Sequence, residues 1–255
     1  MSLNLYSIIA NNYSNNSQKI RVLTESWVNK NIYCPNCGKN ITKYENNKPV
    51  ADFYCSNCKE DYELKSKKDN MGKKIVDGAY STMIKRLKSD LNPNFFFLNY
   101  DKNSLNVINF IVIPKYFFIP EIIEKRKPLS ITARRAGWIG CNILLDTIPE
   151  SGKIFYVKDG KEESKNKVLD DWNKTTFLKQ ILNLKSKGWL IDIIKCIDKL
   201  DKNNFTLSDI YQFEKYLKLK HPENNNIQAK IRQQLQFLRD KGYLKFESRG
   251  KYKIA

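Results

Sequence analysis

The sequence predicts a mixed α/β (α+β) core that carries a four-cysteine metal site, followed by a smaller α+β module of three helices and a hairpin. Three observations carry that prediction. Cys34-Pro-Asn-Cys37 and Cys55-Ser-Asn-Cys58 form two short pairs with 17 residues between them, the arrangement of a closed four-thiolate site. Through the first two thirds of the chain, stretches of helical periodicity alternate with strand-like runs rich in Phe, Ile and Val. Beyond Ser186-Lys187-Gly188 the pattern changes to amphipathic helices that end in a basic, alternating tail.

Asn16 or Ser17 is placed to cap a helix in which Ile20, Leu23, Trp27 and Val28 recur at helical spacing. After the first cysteine pair, residues 49–54 read as a strand, the second pair as its turn, and Tyr62-Glu63-Leu64-Lys65-Ser66 as the return strand. A period of two sends Tyr62 and Leu64 to one side and Glu63 and Lys65 to the other. A helix is predicted over 77–89, with Ala79, Met83, Ile84 and Leu87 inward. Asn94–Tyr100 and Val107–Ile113 are predicted strands. Pro114, Pro120 and Pro128 mark a looped region leading to Thr132-Ala133-Arg134-Arg135-Ala136-Gly137-Trp138. A short strand at 154–157 and a helix over 168–182 complete the first domain, 1–182. The second domain, 183–255, begins with a helix over 189–200. Phe205-Thr206-Leu207-Ser208 introduces a second helix to about residue 220, and Asn224-Asn225-Asn226 breaks the chain. A third helix over 227–241 turns Ile227, Ile231, Leu235 and Leu238 inward, and 243–254 forms a hairpin about Ser248-Arg249-Gly250. Three helices and a basic hairpin give the winged-helix order.

The 255 residues carry 45 Lys+Arg against 27 Asp+Glu, a net charge of +18. Residues 183–255 hold 16 basic and 8 acidic side chains, so +8 lies there and +10 in the rest. Both domains are basic, as expected of a chain that meets a polyanion along its length. No run approaches 18 uninterrupted apolar residues, so no membrane span is predicted. The N-terminus has no basic region followed by an apolar run, so no signal peptide is expected. Two cysteine knuckles in so large a chain argue against a disulfide framework and for a reducing, cytoplasmic setting. Cys141 and Cys196 stand in apolar surroundings as buried thiols.

Four soft thiolates, Cys34, Cys37, Cys55 and Cys58, select Zn²⁺ and leave no open coordination position, so the zinc is structural. Asp52 followed by Glu63-Leu64-Lys65 has a different meaning. Hydrolysis of a phosphodiester requires charge stabilisation on a non-bridging oxygen, an oriented water and relief for the leaving oxygen. Carboxylates that gather one or two Mg²⁺ ions supply the first and last, and a lysine beside the water or phosphate helps with the second. Glu25 on the first helix is either a further acid near the metal or a surface residue. In the third helix of the second domain, Gln228, Arg232, Gln233, Gln236 and Arg239 point away from the apolar seam. Gln suits adenine in the major groove and Arg suits guanine or phosphate. Lys245, Arg249, Lys251 and Lys253 on the hairpin suit backbone contacts. Trp138 after Arg134-Arg135 is either a core anchor or a DNA-facing aromatic, and His221 beside Pro222 is a helix-end residue. A non-catalytic zinc-ribbon and winged-helix regulator, and a repair nuclease acting on branched DNA, are the competing expectations.

Together, Pro49-Val50-Ala51-Asp52-Phe53-Tyr54-Cys55, Tyr62-Glu63-Leu64-Lys65-Ser66-Lys67-Lys68, Asp77-Gly78-Ala79-Tyr80, Asn92-Pro93-Asn94-Phe95-Phe96-Phe97-Leu98, residues 132–141 and Lys230-Ile231-Arg232-Gln233-Gln234-Leu235 resemble the DpnI family of methyl-directed restriction endonucleases. The resemblance spans nearly the whole chain, in order. It implies a PD-(D/E)XK catalytic domain and a C-terminal winged helix, both meeting double-stranded DNA that carries N6-methyladenine in GATC. It implies a type II endonuclease with Asp52, Glu63 and Lys65 as its active site, and blunt cutting within the site. Mg²⁺ would then be held by Asp52, Glu63 and the backbone carbonyl of Leu64. Ala51 stands where proline gives the superfamily its name. Arg134, Arg135, Trp138, Gln228, Arg232, Gln233, Arg249 and Lys251 are the expected DNA contacts, and no obligatory protein partner is expected.

Overall fold

The structure, a computed structural model, describes residues 1–6, 13–45, 51–89 and 92–255. The chain divides into two compact units. The first comprises Met1–Thr147 and Lys153–Asn173, and the second Ile148–Gly152 and Lys174–Ala255.

In the first unit, helix α1 (Asn16–Asn31) is capped one residue earlier than the sequence indicated. Asn15 keeps an extended backbone, and its side-chain oxygen accepts from the amides of Ser17 (2.8 Å) and Gln18 (3.3 Å). Strands β1 (Thr42–Lys43), β2 (Phe53–Tyr54), β3 (Asp61–Lys68), β5 (Asn94–Tyr100), β6 (Val107–Ile113), β9 (Ile154–Lys158) and β10 (Lys161–Glu162) form one sheet in that spatial order. Of the run 49–54 expected to be a strand, Pro49 and Val50 lie outside the described residues and Phe53–Tyr54 form β2. The β3–β5 pair is parallel, with Tyr62 opposite Asn94 and Lys65 opposite Phe97, and the other pairs are antiparallel.

Strand β5 is buried at all seven positions, as a central strand covered on both faces requires. Its Phe96 and Leu98 join Leu23, Trp27 and Val28 of α1, together with Phe53, Tyr62, Phe110, Tyr156 and Trp172, in the main core. Phe96 stacks on Tyr62 at 4.5 Å, nearly parallel. Phe95 and Phe97 face the other way, where Phe118 packs on Phe95 at 4.5 Å.

Between β3 and β5 the structure corrects the predicted helix at 77–89. Lys74–Ala79 is strand β4, and helix α2 covers only Tyr80–Leu87. Ile75-Val76 is β-branched and alternates buried and exposed, a strand pattern that the apolar spacing of the following helix masks. With β7 (Ile123–Lys125) and β8 (Gly140–Leu144), β4 makes a second sheet of order β4-β8-β7, and its register shifts between Asp77 and Ala79. Helix α3 (Lys165–Thr175) contains Asn173, the last residue of the first unit. The helix predicted over 168–182 is shorter at its C-terminal end: Thr176–Gln180 winds as a 3₁₀ turn.

The second unit contains α4 (Leu184–Leu200), β11 (Asn204–Thr206), α5 (Leu207–Tyr211), α6 (Glu214–Lys220), α7 (Ile227–Asp240), β12 (Leu244–Ser248) and β13 (Lys251–Ile254). The first of these helices starts earlier than residue 189, because Asn183 caps it by accepting from the Ser186 amide. The single helix predicted to residue 220 is two short ones preceded by a strand. Thr206 and Asp209 form a reciprocal capping box that starts α5, and Phe205 pairs with Tyr252 across β13. The three strands order as β11-β13-β12, with β12 and β13 forming the expected hairpin. Among the described residues, no helix is long and apolar enough to cross a membrane.

Candidate functional site

The two cysteine knuckles are built alike. In the first, the Gly38 amide donates to the Cys34 carbonyl and the Cys34 amide donates to Lys39. In the second, the Lys59 amide donates to the Cys55 carbonyl and the Cys55 amide donates to Glu60. Each knuckle needs a left-handed residue after its second cysteine, supplied by Gly38 (φ 70°) and Lys59 (φ 60°). All four sulfurs lie within 4.8 Å of one another, with Cys34 to Cys58 at 3.4 Å and Cys37 to Cys55 at 3.5 Å. A tetrahedral zinc with Zn–S of about 2.3 Å has sulfur–sulfur edges of about 3.8 Å, so the donor set fits that ion. The Tyr62 hydroxyl lies 3.1 Å from the Cys34 sulfur, which ties the four-cysteine cluster to strand β3.

Asp52 sits in a bend directly before β2. Its amide donates to the Tyr62 carbonyl, and its carboxylate accepts from the Leu64 amide at 2.7 Å. Backbone groups of alternate strand residues point to the same edge, so the Leu64 carbonyl faces the edge that Asp52 occupies. Burial pushes the Asp52 carboxyl above its ordinary range, against the opposing Leu64 hydrogen bond. Glu25 of α1 is 4% exposed and charges against Asp52. Arg21 (2.5 Å) and Lys43 (2.7 Å) pair with it. Of the two expectations for Glu25, a free surface position is therefore ruled out by its burial. Asp52, Glu25, Arg21, Leu64, Ser66 and Lys68 are among the residues lining a cavity of about 450 Å³ on the α1 side of β3.

Glu63 and Lys65 share the opposite side of β3, as the alternation required, and form an ion pair at 2.6 Å. Arg86 of α2 approaches Glu63 at 3.3 Å, and Asp77 of β4 holds Lys65 at 2.5 Å. Burial raises the Glu63 pKa, with Lys65 pulling it back. Burial also pulls the Lys65 pKa down, but Glu63 and Asp77 outweigh it and the net shift is upward, so the ammonium form is favoured. The three expected residues thus lie around one strand: Asp52 at its edge, Glu63 and Lys65 on one face. Asp77 entered the sequence reading only within the motif Asp77-Gly78-Ala79-Tyr80, with no role of its own, and Arg86 was not singled out. Asp77 carries a legible signal, an acid in step with buried Ile75 on an alternating strand.

The loop between β7 and β8 carries the second set. Arg134 and Arg135 are exposed, and the Arg135 guanidinium lies over the Trp138 ring at 4.6 Å. The indole is half-buried over Gly140, where a Cβ would come within 2.7 Å of the ring. Ile131, at 93% exposure, projects from the same basic loop. In the second unit, Gln228, Arg232, Gln233, Gln236 and Arg239 all lie on the exposed face of α7, opposite buried Ile227, Ile231, Leu235 and Leu238. The Tyr211 hydroxyl accepts from Arg232 at 2.6 Å, Gln228 donates to Glu214, and Gln233 accepts from Lys230. Arg249 and Lys251 are exposed at the hairpin turn, beside the cross-strand pair Lys245 and Lys253. His221 stacks on Trp189 with ring centroids 3.7 Å apart and bonds Asp192 at 2.9 Å, which anchors the loop before α7.

Two family models match the chain. One, described as DpnI, Dam-replacing family, covers residues 1–181; the other, described as the Dam-replacing HTH domain, covers residues 185–254. With the first spanning well over half the chain, a four-cysteine cluster inside it and an exposed basic helix inside the second, the protein belongs to the DpnI (Dam-replacing) family of restriction endonucleases and carries a DNA-binding helix-turn-helix domain at its C-terminal end.

Proposed function

We propose that the protein is a type II, methyl-directed endonuclease that hydrolyses double-stranded DNA at GATC sites carrying N6-methyladenine. What supports this reading is the placement of Asp52 at the edge of strand β3 and of Glu63 and Lys65 together on one of its faces, in a chain of this family. The hard oxygen donors around β3, the Asp52 carboxylate and Leu64 carbonyl at its edge and the Glu63 carboxylate on its face, are of the kind that suits Mg²⁺. Bound there, the ion would polarise the scissile phosphate and lower the pKa of a water.

The chain's own residues do the rest. Lys65, favoured as an ammonium by Glu63 and Asp77, offers a positive donor to a non-bridging phosphate oxygen, where charge builds as water adds to phosphorus. Burial of Asp52 and Glu63 keeps both carboxyls poorly solvated, so a divalent cation relieves a penalty the fold already carries. Cys34, Cys37, Cys55 and Cys58 would hold a structural zinc that braces the bend carrying Asp52, with no coordination position left for a substrate. The loop bearing Arg134, Arg135, Trp138 and Ile131 offers two apolar surfaces within a basic rim. Such a surface suits a methylated adenine, because the added methyl is apolar and burying it is worth roughly 0.8 kcal/mol. One methyl gives only a few-fold preference, so a strict reader needs several such contacts or a penalty against unmethylated DNA. The face of α7 with Gln228, Arg232 and Gln233, and the hairpin with Arg249 and Lys251, supply a second, independent reader.

Supercoiled plasmid methylated at GATC, incubated with the protein with and without Mg²⁺, tests the proposal. Linear products from methylated plasmid alone, and only with Mg²⁺, are expected. Binding without strand cleavage would instead support a non-catalytic regulator, and cutting of branched but not linear methylated duplex a repair nuclease.

A further inference from the structure

Asp77 occupies a position that the fold gives no reason to charge. On β4 it is in step with Ile75, which is 6% exposed, while Val76 between them is 62% exposed. It sits opposite buried Cys141 on β8. Its side chain is itself only 6% exposed. A carboxylate buried on the inner face of a strand costs several kcal/mol unless it is paired. Here the β4–β8 register shifts directly after Asp77, an irregularity of the kind that re-aims a side chain, and the carboxylate reaches the Lys65 ammonium at 2.5 Å. Lys65 therefore has two acidic partners on two strands, Glu63 within β3 and Asp77 on β4.

Those two partners are not equivalent. Under the function proposed above, on which this inference rests, Glu63 turns to a divalent cation and can no longer neutralise Lys65. The lysine is only 22% exposed, so without a second partner it would be a buried, unpaired charge. We propose that Asp77 is the positioning residue for Lys65, holding its ammonium group in place when a cation takes Glu63. Arg86, which also leans on Glu63 at 3.3 Å, lies on another element, α2, and as a cation cannot neutralise Lys65.

The test is a double-substitution cycle on the full chain with two readouts: Ca²⁺ binding by calorimetry in the presence of methylated GATC duplex, and single-turnover cleavage in Mg²⁺. Asp77→Asn should weaken Ca²⁺ binding and slow cleavage by about 10- to 100-fold each, the usual cost of removing a group that orients a site. Affinity for the duplex without divalent cation should be unchanged, and Asp77→Glu should recover part of both losses. In a Lys65→Ala background, where there is no ammonium to hold, adding Asp77→Asn should change Ca²⁺ affinity by less than about twofold. An equal loss in both backgrounds would mean that Asp77 acts on the cation directly, and would overturn the proposal. Wild-type Ca²⁺ binding and cleavage by Asp77→Asn would overturn it as well. If Asp77→Asn does not fold, Asp77→Ser carries the same cycle. Lys65→Ala cutting at the wild-type rate is a different failure, because it would remove the proposed function itself.

Discussion

Replacing Cys55 with serine puts the zinc brace to a quantitative test. Cys55 lies three residues after Asp52, with β2 between them, and its thiol is one corner of a cluster in which all sulfurs lie within 4.8 Å. Structural zinc contributes about 10–16 kcal/mol to small metal-dependent folds, or about 3 kcal/mol for each of four thiolates if shared evenly. A domain's total stability is only about 5–15 kcal/mol, so one ligand is a large fraction of it. For a unit of this size, a loss of about 3 kcal/mol lowers the melting temperature by about 6–12 °C and weakens zinc binding by roughly 100-fold. Zinc content by mass spectrometry after dialysis against chelator, thermal unfolding and plasmid cleavage should fall together in Cys55→Ser. Cys196→Ala, a buried thiol outside the cluster, should keep its zinc. Purified wild-type protein that cuts DNA without zinc, or a Cys55→Ser variant with unchanged melting temperature and activity, would refute the brace.

Other consequences follow from single side chains. Burial raises the Asp52 pKa in the folded chain, so the unfolded state releases that proton first and stability falls as pH rises through the interval above the ordinary carboxylate value. Asp52→Asn, which can keep an oxygen toward the Leu64 amide, should abolish cleavage, raise the metal-free stability at pH 7 by about 1 kcal/mol and flatten that part of a melting-temperature-versus-pH curve. A lower melting temperature at pH 7 would count against it. Arg249→Ala at the hairpin turn should reduce the slope of log affinity against log salt by about 1, equally for all sequences. Gln233→Ala should leave that slope unchanged and narrow the preference for the methylated site, as filter binding at matched salt would show. Replacing Gly140 with alanine should displace the Trp138 ring, since its Cβ would sit 2.7 Å from it, and should shift Trp fluorescence. An unchanged spectrum would mean that the indole is not packed on that glycine.

Much of the fold was legible because its signals are local. β5 and β6 have the limits their apolar runs indicate, and the cysteine spacing foretold the cluster that forms. Where the sequence misled, two local preferences competed. The apolar residues after Asp77 have helical spacing, which hid the strand that β8 pairs with and so hid the role of Asp77 on it. Likewise, the one helix expected to residue 220 is a short strand and two short helices: the Thr206–Asp209 capping box sets the start of α5, and a break at Gln212–Phe213 separates it from α6. At the candidate site, alternation alone put Glu63 with Lys65, whereas the burial of Glu25 and the reach of Arg86 depend on how α1 and α2 pack, which no spacing rule contains. Trp138 could be read either way from sequence. Its half-exposed place under the Arg135 guanidinium comes from a loop conformation closed by hydrogen bonds between Leu129, Gly137 and Trp138.

The most direct measurement is single-turnover cleavage of one GATC duplex, methylated at both adenines or at neither, by the wild-type chain and by Lys65→Ala, with Mg²⁺ present and DNA affinity measured in parallel. The wild type alone should cleave the methylated duplex, with Lys65→Ala binding that duplex about as tightly and leaving it intact. Equal cleavage of both duplexes would contradict methyl-directed recognition, and cleavage by Lys65→Ala at the wild-type rate would contradict the active site assigned to Asp52, Glu63 and Lys65.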